Sequence, residues 1–464
     1  MILNPSTWLS SFSFPSLLLG TATPSEYSPI VLTGVLLSLI VVYIASKLGG
    51  EISRKINLPP VLGELVAGVI VGASVLHLLV FPEGGADAGD SVIMTVLQFI
   101  GNLTPDAVTS IFEAQSEVVS VLAEIGVIIL LFEIGLESDL KELTKVGYQA
   151  TIVACVGVAV PFAAGTIGLI YLFNFPAIPA IFAGAALTAT SIGITSKVLS
   201  EIGQLKSREG QIIVGAAVID DILGIIVLAV VASLAKTGEV DIANVIYLIV
   251  SATSFLIGSI LLGKFFNKSV VAAADRLQTR GNIIIPALVF AFFMAFIGNA
   301  IHLEAILGAF AAGLVLDETD KRKELDKQVK PIADILVPIF FITVGAKVDL
   351  SVLNPSIPAN REGLIIATFL IIVAIIGKVV TGWAVFGQPG INRVAIGVGM
   401  IPRGEVGLVF AGIGAASGVL NKPLQAAIIV MVILTTFIAP PLLRLAFKES
   451  SDPQKELNQL DITG

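Results

Sequence analysis

Charge is the first thing this chain lacks. Asp, Glu, Lys and Arg make up 13% of its 464 residues, against about 25% in an ordinary soluble domain. Hydrophobic residues reach 55% and the mean hydropathy is +0.96. A water-soluble fold of this length has too little interior to hide so much apolar surface, so a membrane is the only solvent that suits it. Cysteine is nearly absent too. The single Cys155 lies in an apolar run, which excludes a disulfide framework or thiolate cluster and leaves it as small helix filler. Two histidines, His77 and His302, are too few for a His-rich metal site. No basic patch is dense enough for nucleic acid, and no cofactor is expected. The N-terminus also lacks the basic n-region of a standard secretory signal, its first basic residue being Lys47, and residues 1–28 are expected to be an irregular or peripheral lead.

What is present is a series of apolar stretches able to cross roughly 30 Å of hydrocarbon as helices. The expected spans are 29–49, 58–79, 119–137, 148–173, 177–200, 209–235, 241–264, 283–301, 303–318, 330–348, 363–386, 391–417 and 423–446, thirteen in all. Residues 1–28 form a lead, 29–447 the transmembrane body, and 448–464 a polar tail. The stretch 80–118 is acidic and weakly apolar, and is expected to be an outer loop with an amphipathic piece at the interface. Lys and Arg cluster at alternate ends of these spans. Only Lys236, Lys347, Arg361 and Lys422 fall on the poorer side, and no Lys or Arg occurs between Leu78 and Leu140. The positive-inside rule then puts the N-terminus outside and the C-terminus in the cytoplasm.

An internal repeat is visible. Leu62-Gly63 with Ala67-Gly68 recurs as Leu307-Gly308 with Ala312-Gly313. Gly135 with Asp139-Leu140 recurs as Gly345 with Asp349-Leu350. Seven spans separate the partners, and an odd number inverts the second half. Inverted repeats with substrate near the midplane are a transporter architecture.

The chemistry-bearing residues sit in mid-span. Asp220 and Asp221 follow Val218-Ile219 far from either helix end, where a charge costs about 3 kcal/mol even on a lenient scale. Neighbours on a helix point about 100° apart, so the two carboxylates occupy different surroundings. Lys378, also mid-span, is a candidate partner for one of them; a snorkelling lysine is the competing reading. A carboxylate that holds either H⁺ or a metal cation, but not both, is the core of an exchanger. Thr188-Ala189-Thr190-Ser191-Ile192-Gly193 and Gly397-Val398-Gly399-Met400-Ile401-Pro402-Arg403-Gly404-Glu405 interrupt two spans seven apart. Interrupted helices expose carbonyls and helix ends to a dehydrated cation. Thr190 and Ser191 are hard oxygen donors, unless their hydroxyls simply bond back within a bent helix. Arg403 and Glu405 are expected to form a charge network beside the site. Glu64 and Glu133 are deep enough for either packing or transport.

Leu58-Pro59-Pro60-Val61-Leu62-Gly63-Glu64, Ala189-Thr190-Ser191, Val218-Ile219-Asp220-Asp221 and Met400-Ile401-Pro402-Arg403-Gly404-Glu405 together resemble the monovalent cation:proton antiporter superfamily, in its second group with the bacterial sodium/proton antiporters. The likeness runs from about residue 30 to 445. It implies an all-α membrane fold of two inverted repeats with crossed broken helices, and a homodimer with an ion-binding core beside a dimerisation domain. It implies that Asp221 carries the ion and proton, that Asp220 pairs with Lys378 in the ion-free state, and that Thr190 and Ser191 add oxygens. Paired aspartates resemble the electrogenic members, and the short tail is unlike the potassium-efflux branch with its nucleotide-binding domain. The expected activity is Na⁺/H⁺ (or Li⁺/H⁺) exchange, transport rather than enzyme catalysis, in a plasma membrane or an internal energy-transducing membrane such as a thylakoid. K⁺/H⁺ exchange on the same fold stays open, as does, from another class, a channel or sensor. An intramembrane aspartyl protease is disfavoured, because adjacent aspartates on one helix cannot face each other.

Overall fold

The computed structural model describes residues 28–448, apart from 83–85, 238, 357 and 388. The sequence lead up to residue 27 and the tail from residue 449 lie outside the described residues, as do the side chains of 256, 260–271, 273–275 and 405 among others. Among the described residues every regular element is helical. The helices are α1 (Ser28–Lys55), α2 (Pro60–Val71), α3 (Val92–Gly101), α4 (Pro105–Glu137), α5 (Leu140–Lys145), α6 (Gly147–Phe173), α7 (Ala177–Ala186), α8 (Ile192–Glu201) and α9 (Arg208–Thr237). They continue as α10 (Ile242–Arg276), α11 (Ile284–Ala300), α12 (Ala305–Asp317), α13 (Arg322–Ala346), α14 (Pro358–Val379), α15 (Arg393–Gly399), α16 (Glu405–Ala416) and α17 (Lys422–Lys448).

Among the described residues eight helices are long and apolar enough to cross a membrane. The other five expected spans are filled by the shorter α2, α11 and α12 and by two broken pairs, α7–α8 and α15–α16. The outer surface shows why lipid suits the chain. Leu32, Leu36, Ile40, Ile44, Leu48 and Ile52 recur every four residues along α1, each more than half exposed. A stripe of that spacing covers one helix face, and water would not tolerate it.

Two boundaries differ from expectation. The stretch 80–118 is mostly helical, comprising α3 and the first part of a 33-residue α4. Ser91 caps α3 by accepting from the Met94 amide at 3.2 Å. Thr104 is the N-cap of α4, with Pro105 in its first turn, a helix-start signal that does not depend on hydrophobicity. The second difference is α2, which stops at Val71 rather than running to 79. A Cβ at Gly72 would strike the Ala346 backbone, so the chain leaves the helix where it meets the end of α13.

The repeat is written in the close contacts. A Cβ on Gly68 would lie 2.9 Å from the Gly345 Cα, and one on Gly135 would lie 3.1 Å from the Gly313 Cα. Thus α2 crosses α13 as α12 crosses α4, with repeat partners exchanged. Gly63 seats α2 on Gly49 of α1, and Gly308 seats α12 on Met294 of α11. Asp139 and Asp349 each cap the short helix after the long one, accepting from Lys141 N at 2.9 Å and Ser351 N at 2.8 Å. Small residues let these backbones touch where lipid supplies no hydrophobic drive.

Candidate ion site at the crossing of two broken helices

Residues 187–191 between α7 and α8, and 400–404 between α15 and α16, leave the helical path. Unwound backbone inside a bilayer must find other partners, and each break supplies the other. Ser191 N donates to Pro402 O at 2.8 Å. Thr190 Oγ1 donates to Met400 O at 3.1 Å, and Thr195 Oγ1 to Gly399 O at 3.0 Å, which satisfies carbonyls at the end of α15. Arg403, fully buried, donates through Nη1 to Thr188 O at 3.2 Å and to Ala189 O, placing a cation at the carbonyl end of α7. Thr436 Oγ1 of α17 holds Arg403 O at 2.7 Å. Gly404 is required at the crossing, since a Cβ there would sit 2.9 Å from Ser191 Oγ.

Helix α9 brings the two aspartates to this crossing and separates them. Lys378 Nζ of α14 lies 3.2 and 3.3 Å from the Asp220 carboxylate oxygens, and neither side chain has any solvent exposure. Gly157 of α6 makes room for the lysine, because a Cβ there would meet Nζ at 3.2 Å. Asp221 instead faces a small chamber of ≈ 20 Å³, lined with it by Thr190, Ser191, Gly193, Gly404 and Val406. That is about the room one water-sized particle needs. The starts of α8 and α16 border the chamber, and helix N-termini favour a negative charge.

The structure therefore brings Asp221, Thr190 and Ser191 to one chamber and gives Asp220 to Lys378. Arg403 is a structural clamp on the α7 carbonyls. The Glu405 side chain lies outside the described residues, and with it the expected Arg403–Glu405 network. Glu64, on α2, accepts from Ser46 Oγ at 2.9 Å, away from the chamber. Sequence reasoning missed Thr195 and Thr436, whose role as backbone partners needs the fold. It also missed Glu304, which lines the chamber from the start of α12. Among the described residues no group of three or more His, Cys, Asp and Glu could hold a metal ion; the oxygen-bearing side chains that line the chamber are those of Asp221, Glu304, Thr190 and Ser191.

The family model for the transmembrane sodium/hydrogen exchanger matches residues 29–449. The chain belongs to the sodium/hydrogen exchanger family. Across 98% of its length and 99% of the relative's it is 61% identical to the high-affinity Na⁺/H⁺ antiporter NhaS3 of Synechocystis sp.. It is 31% identical to the Na⁺/H⁺-K⁺ antiporter GerN of Bacillus cereus, over 88% of this chain and 95% of that one. Among solved structures, the sodium proton antiporter MjNhaP1 of Methanocaldococcus jannaschii shares the fold. Its TM-score is 0.61 at 17% identity, with 91% of this chain and all of that one covered.

Proposed function

We propose that this exchanger moves Na⁺ (and Li⁺) against H⁺ by alternating access, with Asp221 binding either the metal ion or the proton. The observation that carries the reading is the separation of the two aspartates: one carboxylate is neutralised by Lys378, the other opens on a cation-sized chamber with hydroxyl oxygens beside it. Thr190 keeps lone pairs for a cation while its proton bonds Met400 O. When the ion occupies Asp221, its charge competes with that of Lys378 for the aspartate pair. This couples metal entry to proton loss and makes the cycle electrogenic, with more protons than sodium ions moved.

The packing supports a core of α6–α9 and α14–α17 beside a block of α1, α2, α4 and α11–α13, because within each group the helices pack mainly on one another. The core carries the ion, the block serves as the dimerisation domain of a homodimer, and the N-terminus lies outside with the C-terminus cytoplasmic. The membrane is a plasma membrane or an internal energy-transducing one. Everted vesicles with an imposed pH gradient test the reading: Na⁺ or Li⁺ should dissipate the gradient and Asp221→Asn should abolish the response. Wild-type behaviour of Asp221→Asn would sink it. Dissipation by K⁺ but not Na⁺ would replace it with K⁺/H⁺ exchange, a reading that the name of GerN keeps in view.

A further inference from the structure

Glu304 is a carboxylate that the exchange as proposed does not use. Helix α11 ends at Ala300, His302 turns the chain with φ 63°, and Glu304 precedes the first turn of α12 in extended conformation. It makes no side-chain cap bond to α12. Two cavities meet at this residue. One is the Asp221 chamber, where Glu304, Ile306, Phe340 and Val127 face the crossing from α12, α13 and α4. The other, of ≈ 400 Å³, shares those four residues and Gly404 with the chamber and runs on past Glu124, Asn299 and Lys347. It lies toward the end of the bundle where α13 finishes and α12 begins.

At the opposite end the same helix blocks are tied together. Glu201 accepts from Val61 N at 3.3 Å, Ser200 donates to Glu137 at 3.1 Å, and Arg444 donates to Asn57 O. A cation approaching Asp221 through the larger cavity therefore passes Glu304 first, while Asp221 faces that side.

We propose that Glu304 is a positioning residue for the transported alkali cation, receiving it from the cavity on the Lys347 face and delivering it to Asp221. The inference rests on the exchange reading above. A fixed negative charge in a narrow, low-dielectric cleft concentrates cations locally. Lys347 and Glu124 share the cavity and set the field in which Glu304 acts. Glu304 belongs to the α4–α12–α13 block and Asp221 to α9, so motion of the core carries Asp221 away while Glu304 stays. Its influence is consequently confined to one face of the membrane.

The test compares right-side-out and everted vesicles carrying wild type, Glu304→Gln or Glu304→Asp, with Na⁺ titrated on each face against an imposed pH gradient. With Glu304→Gln the half-saturating Na⁺ concentration should rise about tenfold on the Lys347 face, with little change on the other. Glu304→Asp, which keeps the charge, should recover most of the wild-type value and serves as the informative variant if Glu304→Gln does not fold. Unchanged half-saturation on both faces, or equal rises on both, would overturn the proposal, as would failure of Glu304→Asp to recover. Asp221→Asn run in parallel separates the two claims. If it still exchanges ions the exchange reading fails; if it is silent and Glu304→Gln behaves like wild type, only the role of Glu304 fails.

Discussion

Replacing Lys378 by methionine removes the cation 3.2 Å from a carboxylate with no solvent exposure. With an effective dielectric near 20, unit charges at that separation attract by about 5 kcal/mol. Removing one partner of a buried pair costs about 3–5 kcal/mol, so Lys378→Met should lose about 4 kcal/mol. Asp220→Asn strands the lysine instead and should lose a similar amount, about 4 kcal/mol. The double variant Asp220→Asn/Lys378→Met leaves no charge and should lie within about 2 kcal/mol of wild type. The assay is reversible unfolding in mixed micelles followed by circular dichroism at pH 7. Single-variant losses that add, to within about 0.5 kcal/mol, to that of the double variant would refute the pairing.

Two further outcomes are expected. Thr190→Val keeps the shape but leaves the Met400 carbonyl without its 3.1 Å donor, costing about 1–3 kcal/mol; half-saturating Na⁺ should rise in vesicle assays, with Thr190→Ser restoring it. Gly313→Ala drives a Cβ to 2.9 Å from the Gly135 carbonyl carbon, whereas Gly89→Ala meets nothing within 4 Å. The first should lower thermal stability in detergent by about 1–3 kcal/mol and the second leave it unchanged, and equal melting curves would disprove the close crossing.

The fold was readable in the sequence wherever hydrophobic length or a paired small-residue pattern encoded it. The Gly68 and Gly313 motifs marked the repeat, and the structure turns them into two equivalent helix crossings. Interrupted segments at Thr188–Ser191 and Met400–Gly404 were equally visible as departures from helix-forming composition. Other features depend on contacts between distant residues. Gly72 follows Val71 as the C-cap of α2, but a glycine is common in these spans, and only the close approach of Ala346 shows why the helix ends at this one. The beginning of α4 was overlooked for the opposite reason: Thr104-Pro105 is a local start signal, but hydropathy was the stronger guide and residues 105–118 are polar. Glu304 falls at the start of the expected span 303–318 with no motif to single it out, and only the packing of α12 against the crossing places it at the Asp221 chamber.

The two breaks also explain how adjacent carboxylates can serve different ends. Each interruption orphans carbonyls at the end of one half-helix and amides at the start of the next. The carbonyl ends are taken up within the protein, those of α7 by Arg403 and those of α15 by Thr190 and Thr195. The amide ends of α8 and α16 border the chamber, where their partial positive charge suits an anionic Asp221 when no cation is bound. One helix position earlier, Asp220 is turned away by the helical pitch and meets a full positive charge on Lys378. Asp221 therefore lies beside the partial charges of two helix starts, while Asp220 is paired with a whole one. That difference in partner, rather than any difference in the side chains, is what the proposed exchange at the second aspartate rests on.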